Sequence, residues 1–469
     1  MRGIPSSITS IRKQVFTEVA RLAYDGDYQR MEEIPYTIIP GEEAKYRESI
    51  FLERAIVGER VRVAMGLPLQ PVDHPSRITE YCQGCLARSC QQVCPKDAIR
   101  YVNGKSYIKQ DQCIKCGRCA EACQYNAIIK LERPCQKACG MDAIGSDEYG
   151  RAKINYDKCV SCGMCLVSCP FGAIVDKGQI FQLIHAIKRG DKVVAIVAPA
   201  FLGQFGPEAT PERLTAAMKR LGFAGVAEVA VGADLCTIEE AKDFMAEVPE
   251  KQPFMGTSCC PAWSVMAKKL FPQFKDYISM ALTPMVLTAR LQKKKDPSCR
   301  VCFIGPCAAK KLEASRRTIR SDVDFVLTFE ELQGMFEARN VRFEDIPPEE
   351  EVPLNEGTGA GRGFAVSGGV ANAVVEAIKR IDPDREVKVA YAEGLDNCKK
   401  MLMLAKAGKY NGYLLEGMAC PGGCVAGAGT IQPVAKSAAA IKRYSQQADS
   451  LSAMDSRYEA DLELLEERE

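Results

Sequence analysis

The sequence predicts an α/β domain built on mostly parallel sheets, preceded by a smaller cysteine-dense α+β domain and a helical N-terminal segment. Three observations carry this. Beyond about residue 190, short apolar runs alternate with stretches of helical period, the pattern of an open parallel sheet. Between 80 and 178, cysteines recur in groups of four. Before residue 75 there is no cysteine, and apolar residues recur at three and four spacing among charges. The divisions that follow are a helical segment 1–78, a cysteine domain 79–180, an α/β domain 181–440 and a charged C-terminal helix and tail 441–469.

In chain order, 8–24 and 42–65 read as helices, separated by the Pro35 to Gly41 breaker. The segment reads as a packing cap, and His74, between Asp73 and Pro75, as a surface loop residue. In the α/β domain, Val193–Val197 is a continuous apolar strand of the fully buried kind. Thr210-Pro211-Glu212 caps a helix whose apolar face is Leu214, Met218 and Leu221. Strands are expected at 226–231, 301–304, 323–328, 387–391 and 412–416, with helices at 238–248 and 395–407. Gly357 to Gly363 resembles a dinucleotide fingerprint but follows an acidic loop instead of a strand, and reads as a loop near the site. Acidic residues 459–469 read as a solvated tail.

The totals narrow the chemistry. Lys and Arg number 62 against 60 Asp and Glu, a net charge of +2 that gives no sign of a nucleic-acid partner. Nowhere do 18 apolar residues run together and residues 1–12 lack an apolar signal core, so a cytoplasmic protein off the membrane is expected. The 23 cysteines mostly fall in C-x2-C groupings, which in a long chain argues for metal ligation, not a disulfide framework. Two histidines, His74 and His185, exclude a multi-histidine metal site.

The cysteine domain contains Cys82, Cys85, Cys90 and Cys94, then Cys113, Cys116, Cys119 and Cys123, then Cys159, Cys162, Cys165 and Cys169. An Ala-Ile pair follows each run at a fixed offset, and this repeat resembles bacterial-type ferredoxins. Runs of four disfavour a zinc ribbon, which uses pairs. On the ferredoxin resemblance the fourth cysteine of each run serves the other cluster. Cys82, Cys85, Cys90 and Cys123 would hold one 4Fe-4S cluster, and Cys113, Cys116, Cys119 and Cys94 a second. Cys135-x3-Cys139 looks like a run that has lost its first two members; Cys139 would complete a third cluster with Cys159, Cys162 and Cys165. A rival pairing joins the 113 run to Cys169 and the 159 run to Cys123. Three accessory clusters are expected, with Cys135 and Cys169 left over.

Three further stretches empty an apolar run into cysteine: TSCCPAW at 257–263, PCAAKKLE at 306–313 and EGMACPGGC at 416–424. Their order and spacing resemble the signature segments of iron-only (FeFe) hydrogenases, over roughly 193–434. The resemblance implies that Cys260, Cys307, Cys420 and Cys424 hold the cubane of an H-cluster, with Cys424 bridging to a two-iron unit carrying carbonyl, cyanide and a dithiolate amine. It implies that Cys259 exchanges protons with that amine, that Glu240, Ser279 and Asp243 continue the relay, that Lys310 hydrogen-bonds a cyanide, and that Met418 and Phe364 pack on or shield the two-iron unit. The implied activity is exchange of protons and electrons with H2, with a ferredoxin-type carrier and hydrogenase maturation proteins as partners. An H2 sensor of low turnover and a cubane-only iron-sulfur assembly protein are the alternatives. Cys259, Lys310 and Met418 argue against the last, since a cubane alone does not need them. Gly305, Ala262 and Ala428 depart from the family pattern and mark a divergent subgroup.

Overall fold

The computed structural model describes residues 7–29, 61–63, 76–109, 111–114, 116–130, 133–147, 152–170, 172–316 and 322–462. His74 and most of the expected 42–65 helix lie outside them. Ser7–Asp25 is one helix, as its periodicity predicts, with Val15, Val19 and Ala23 buried. Val61–Val63, expected to be helical, instead forms strand β1. Two β-branched residues in a three-residue edge segment gain more from pairing than from a frayed helix end.

The cysteine domain is two structural repeats. In the first, β2 (Ser76–Ile78) pairs antiparallel with β5 (Ile128–Lys130), and β3 (Ile99–Val102) with β4 (Lys105–Ile108). In the second, β6 (Ile144–Ser146) pairs with β7 (Ala152–Ile154), and β1 with β8 (Ile174–Asp176). The Ala-Ile pairs have a structural reason. The isoleucine is buried at the start of a strand. The alanine N–H donates at 3.3 Å to the sulfur four residues earlier, at Cys94, Cys123, Cys139 and Cys169.

The α/β domain carries two parallel sheets. One has the order β10 (Gly225–Glu228), β9 (Val193–Val197), β12 (Arg300–Gly305), β13 (Phe325–Thr328). The other has β11 (Phe254–Gly256), β15 (Tyr413–Met418), β14 (Lys388–Glu393). Thr210 Oγ1 accepts from Arg213 N at 3.3 Å, the expected cap.

Three expectations need correction. The strand at 226–231 ends at Glu228, and a 19-residue helix, Val229–Glu247, starts there, well before 238. Gly359–Gly363 is a short helix, not a loop. Asp234 accepts from Thr358 N at 2.9 Å, while Glu228 accepts from Glu356 N and Gly357 N at 2.7 and 2.8 Å. These distant carboxylates hold the segment leading into the helix, while the helix's own first donors, Gly359 N and Ala360 N, reach Ser450 O and Leu451 O at 2.8 and 2.9 Å. Finally, of the expected tail 459–469, Glu459 and Ala460 are exposed but Leu462 is buried, and residues 463–469 lie outside the described residues.

Candidate functional site

The three cysteine motifs sit where parallel strands end. TSCC follows β11, Pro306-Cys307 follows β12, and Ala419-Cys420 follows β15. Ligands of open α/β sheets collect outside the carboxyl ends of the strands. Here two such edges face one pocket with about 790 Å³ of empty space, partly open to solvent, lined by Cys260, Cys307, Cys420 and Cys424. Its other walls are chiefly apolar, including Pro199, Met285, Phe303, Phe364 and Met418. Among the described residues no three His, Cys, Asp or Glu side chains converge on one ion. Four thiols spread around a cavity instead suit a cubane, which takes four cysteines. Burial pushes the Cys307 thiol up to about 11 and that of Cys424 to about 12, so the charge of a bound metal would be needed to hold them as thiolates.

Close backbone contact holds the motifs together. Gly423 has φ +85°, and a Cβ there would lie 2.5 Å from Ser367 N. The segment carrying Phe364 therefore lies directly on the cysteine turn, where Val425 N donates to Ala365 O at 3.0 Å. The buried Glu416 carboxylate fixes the same segment from below, accepting from Gly368 N at 2.7 Å and Ala371 N at 2.8 Å. Trp263, fully buried, packs on Gly417 and donates from Nε1 to Thr257 O at 3.1 Å. At Gly305, the Phe303 ring occupies the space a side chain would take, 2.6 Å from the position of a Cβ.

Lys310 lines the pocket from the Ala308–Ala314 helix. Its ammonium donates to Glu313 Oε2 at 2.7 Å and to Thr283 Oγ1 at 3.1 Å, and Thr283 Oγ1 donates to Glu313 Oε1 at 2.7 Å. Glu313 and Thr283 were not singled out from the sequence. Glu313 could have been, since it lies three residues after Lys310 on one helix face.

Cys259 also lines the pocket. Behind it, Ser258 donates from N at 2.7 Å and from Oγ at 3.0 Å to Glu240 Oε1. Glu240 is fully buried, and burial raises its carboxyl to about 7. Ser279 acts on the same carboxylate, but Oε2 has no partner of hydrogen-bonding geometry among the described residues. Asp243 is half-buried, one helical turn on. Ser258 is the member of this group that sequence reasoning missed, although it stands inside the TSCC motif.

Cys90, Cys94, Cys113, Cys119 and Cys123 pack together in the first repeat, and Cys135, Cys139, Cys159 and Cys165 in the second. Cys82 accepts from Ser106 N at 3.4 Å in the first repeat, where Cys85 and Cys116 also lie. Cys139, Cys159 and Cys162 also border the apolar cluster that Cys260 and Cys307 border. Gly163, at φ +76°, makes that approach possible, because a Cβ would lie 2.5 Å from Ala428 Cβ.

The described helices include none long and apolar enough to cross a membrane. The family described as "Iron only hydrogenase large subunit, C-terminal domain" matches residues 191–428. A 4Fe-4S dicluster domain matches 74–124 and a 4Fe-4S binding domain 152–175. Iron hydrogenase 1 of Clostridium pasteurianum is 30% identical over 395 residues, covering 73% of this chain and 68% of that protein. The NADP-reducing hydrogenase subunit HndD of Solidesulfovibrio fructosivorans is 29% identical over 310 residues, 54% of this chain, which spans only 53% of that relative. A cytosolic Fe-S cluster assembly factor, narfl of Danio rerio, is 27% identical over 282 residues, 49% of this chain and 68% of its own. With the domain match spanning half the sequence and the Clostridium relative matching over more than two thirds of its length, this chain belongs to the iron-only hydrogenase family.

Proposed function

We propose that the protein interconverts H2 with protons and electrons at an H-cluster held by Cys260, Cys307, Cys420 and Cys424. One observation carries the reading: the four-cysteine pocket also contains Cys259 and a buried Lys310, with Glu240 behind them, groups a cubane alone does not use. The bound cofactor supplies the metal at which H2 is split. The chain supplies the rest. Lys310, anchored by Glu313 and Thr283, keeps donor capacity for an anionic ligand in the pocket. Cys259 holds a proton at the pocket wall, and Glu240, near 7, can hold and release one at neutral pH. Ser279 and Asp243 continue toward solvent. Phe364, Met418 and Phe303 give the cavity apolar walls.

Electrons pass through three accessory 4Fe-4S clusters, assigned to Cys82, Cys85, Cys90 and Cys123; to Cys113, Cys116, Cys119 and Cys94; and to Cys139 with Cys159, Cys162 and Cys165. The grouping of cysteines within each repeat supports this assignment over the rival pairing. A cytoplasmic location and dependence on maturation proteins belong to the same reading.

The first repeat also suggests its partner. Residues 76–130 contain nine Lys and Arg against four Asp and Glu, a net of +5, so the remainder of the chain is −3. Tyr81, Leu86, Val102 and Tyr107 are exposed on it, and Arg88 stacks over Tyr101 at 4.0 Å. A basic surface with exposed aromatics fits an acidic ferredoxin-type carrier. Raising ionic strength should raise the KM for such a carrier several-fold while leaving that for cationic methyl viologen flat or lower; the same salt response for both would remove the basic surface from carrier recognition.

An infrared spectrum of anaerobically matured protein, recorded under argon and then H2, tests the central reading. Carbonyl and cyanide bands that change with H2 are expected. Their absence after verified maturation would favour the second reading, an iron-sulfur assembly role like the one named for the Danio relative, in which the pocket holds a cubane only.

A further inference from the structure

Six cysteines lie in the second repeat, and the four assigned to a cluster leave Cys135 and Cys169 over. Both are buried, at 4% and 5% exposure. They come from elements packed on each other: Cys135 lies in the Pro134–Lys137 helix, and Cys169 directly follows Met164–Ser168. Cys169 keeps the N–H···S bond from Ala173 that the repeat makes at Cys94, Cys123 and Cys139, so its sulfur is held as those are. Cys135 packs with Cys139, Cys159 and Cys165. Cys135 is the third position of the shortened run and Cys169 the fourth of the facing one, the two positions that share one cluster in the ferredoxin pattern.

The first repeat fills both of its cluster positions with eight cysteines; the second can fill only one. The spacing C-x2-C-x2-C would put the missing partners of Cys135 at Ile129 and Glu132. Ile129 belongs to β5 of the first repeat, paired with Arg77, so it cannot also serve the second. A cluster position reduced to two thiols lacks the four cysteine ligands of a cubane.

We propose that Cys135 and Cys169 form a redox-active dithiol, closing to a disulfide in the oxidised protein at this disused cluster position. The step is a two-electron oxidation. The two S–H bonds break and one S–S bond forms, two protons leave to solvent, and two electrons pass to an oxidised organic dye of the thionine class or to two equivalents of a one-electron acceptor. Burial shields the pair from bulky thiols, so its two electrons leave one at a time through the adjoining carriers, which pass them on to the acceptor. The pair would store two electrons, the number one H2 releases, beside carriers that take one each. This use rests on the proposed hydrogenase activity, whereas the dithiol itself does not.

The test uses the full-length protein with its clusters. Samples reduced with dithionite and oxidised anaerobically with thionine are quenched in acid, alkylated with N-ethylmaleimide, digested without reductant and analysed by mass spectrometry. A disulfide-linked peptide pair containing Cys135 and Cys169 is expected only after oxidation, and Cys169→Ser should leave Cys135 alkylated in both states. Free thiols at both positions in both states would overturn the proposal. So would loss of three or four irons per chain in the Cys135→Ser/Cys169→Ser double variant, which would make the pair cluster ligands. Neither measurement uses hydrogen turnover, so failure of the dithiol and failure of the hydrogenase reading are separable.

Discussion

Cys259→Ala is expected to lower hydrogen evolution by about two to four orders of magnitude, the usual worth of a positioned acid-base group, with cofactor content unchanged. Cys259 lines the pocket next to Cys260, a proposed cluster ligand, and its neighbour Ser258 fastens Glu240 from behind. Removing the thiol deletes a proton carrier without removing a cluster ligand. The check is turnover with reduced viologen, normalised to the intensity of the infrared bands. A wild-type rate at full occupancy would take Cys259 out of the mechanism. Glu240→Gln separates relay from fold. The buried carboxyl titrates near 7 instead of its usual 4.5. Its folded pKa is raised, so its burial costs nothing below about 4.5, costs more as pH climbs to 7, and costs of order 3 kcal/mol above that. Glutamine can still accept from Ser258 through Oε1. The variant should therefore lose turnover yet match wild type in denaturant stability at pH 4 and exceed it at pH 8; lower stability at both values would show that the carboxylate's contacts outweigh its desolvation.

How much of this was legible in the chain depended on sequence distance. The cysteine pocket was legible because each motif is local: an apolar run becomes a strand, and the turn after it presents the thiol. The order of the strands across two sheets left no comparable local signal. Glu313 was readable as a helix neighbour of Lys310, but Thr283, 27 residues from Lys310, was not. The Gly357 to Gly363 stretch was misread because its donors are satisfied from far along the chain, by Glu228 and Asp234 more than 120 residues upstream and by Ser450 O and Leu451 O downstream. Alone, the glycines argue for a loop. The acidic composition of 459–469 suggested solvent exposure, yet Leu462, an apolar residue among the charges, finds a buried face.

The same distance effect hides the joint between domains, where the largest stability change is expected. Lys311, next to pocket residue Lys310, points the other way. Its ammonium lies 2.8 Å from Asp176 of β8 and 2.9 Å from Glu331, and donates to Lys177 O at 2.6 Å. Glu331 also closes the capping box of the Phe329–Ala338 helix with Thr328. Arg12 of the N-terminal helix completes the group, 2.7 Å from Glu330 and 3.9 Å from Asp176. One lysine thus joins the cysteine domain to the α/β domain, and both of its carboxylate partners are out of water. Lys311→Ala leaves two buried carboxylates facing each other, and breaking one side of such a pair costs about 3–5 kcal/mol. The loss should appear as a lower denaturant midpoint at pH 7 and shrink in acid, where the stranded carboxylates can protonate. Lys311→Ala/Asp176→Asn, which removes one orphaned charge, should recover part of it. Additive losses in the double variant would mean that the lysine acts by packing, whereas recovery would make the ion pair the element that fastens the accessory repeats to the helix carrying Lys310, and so holds their cysteines against the wall that carries Cys307.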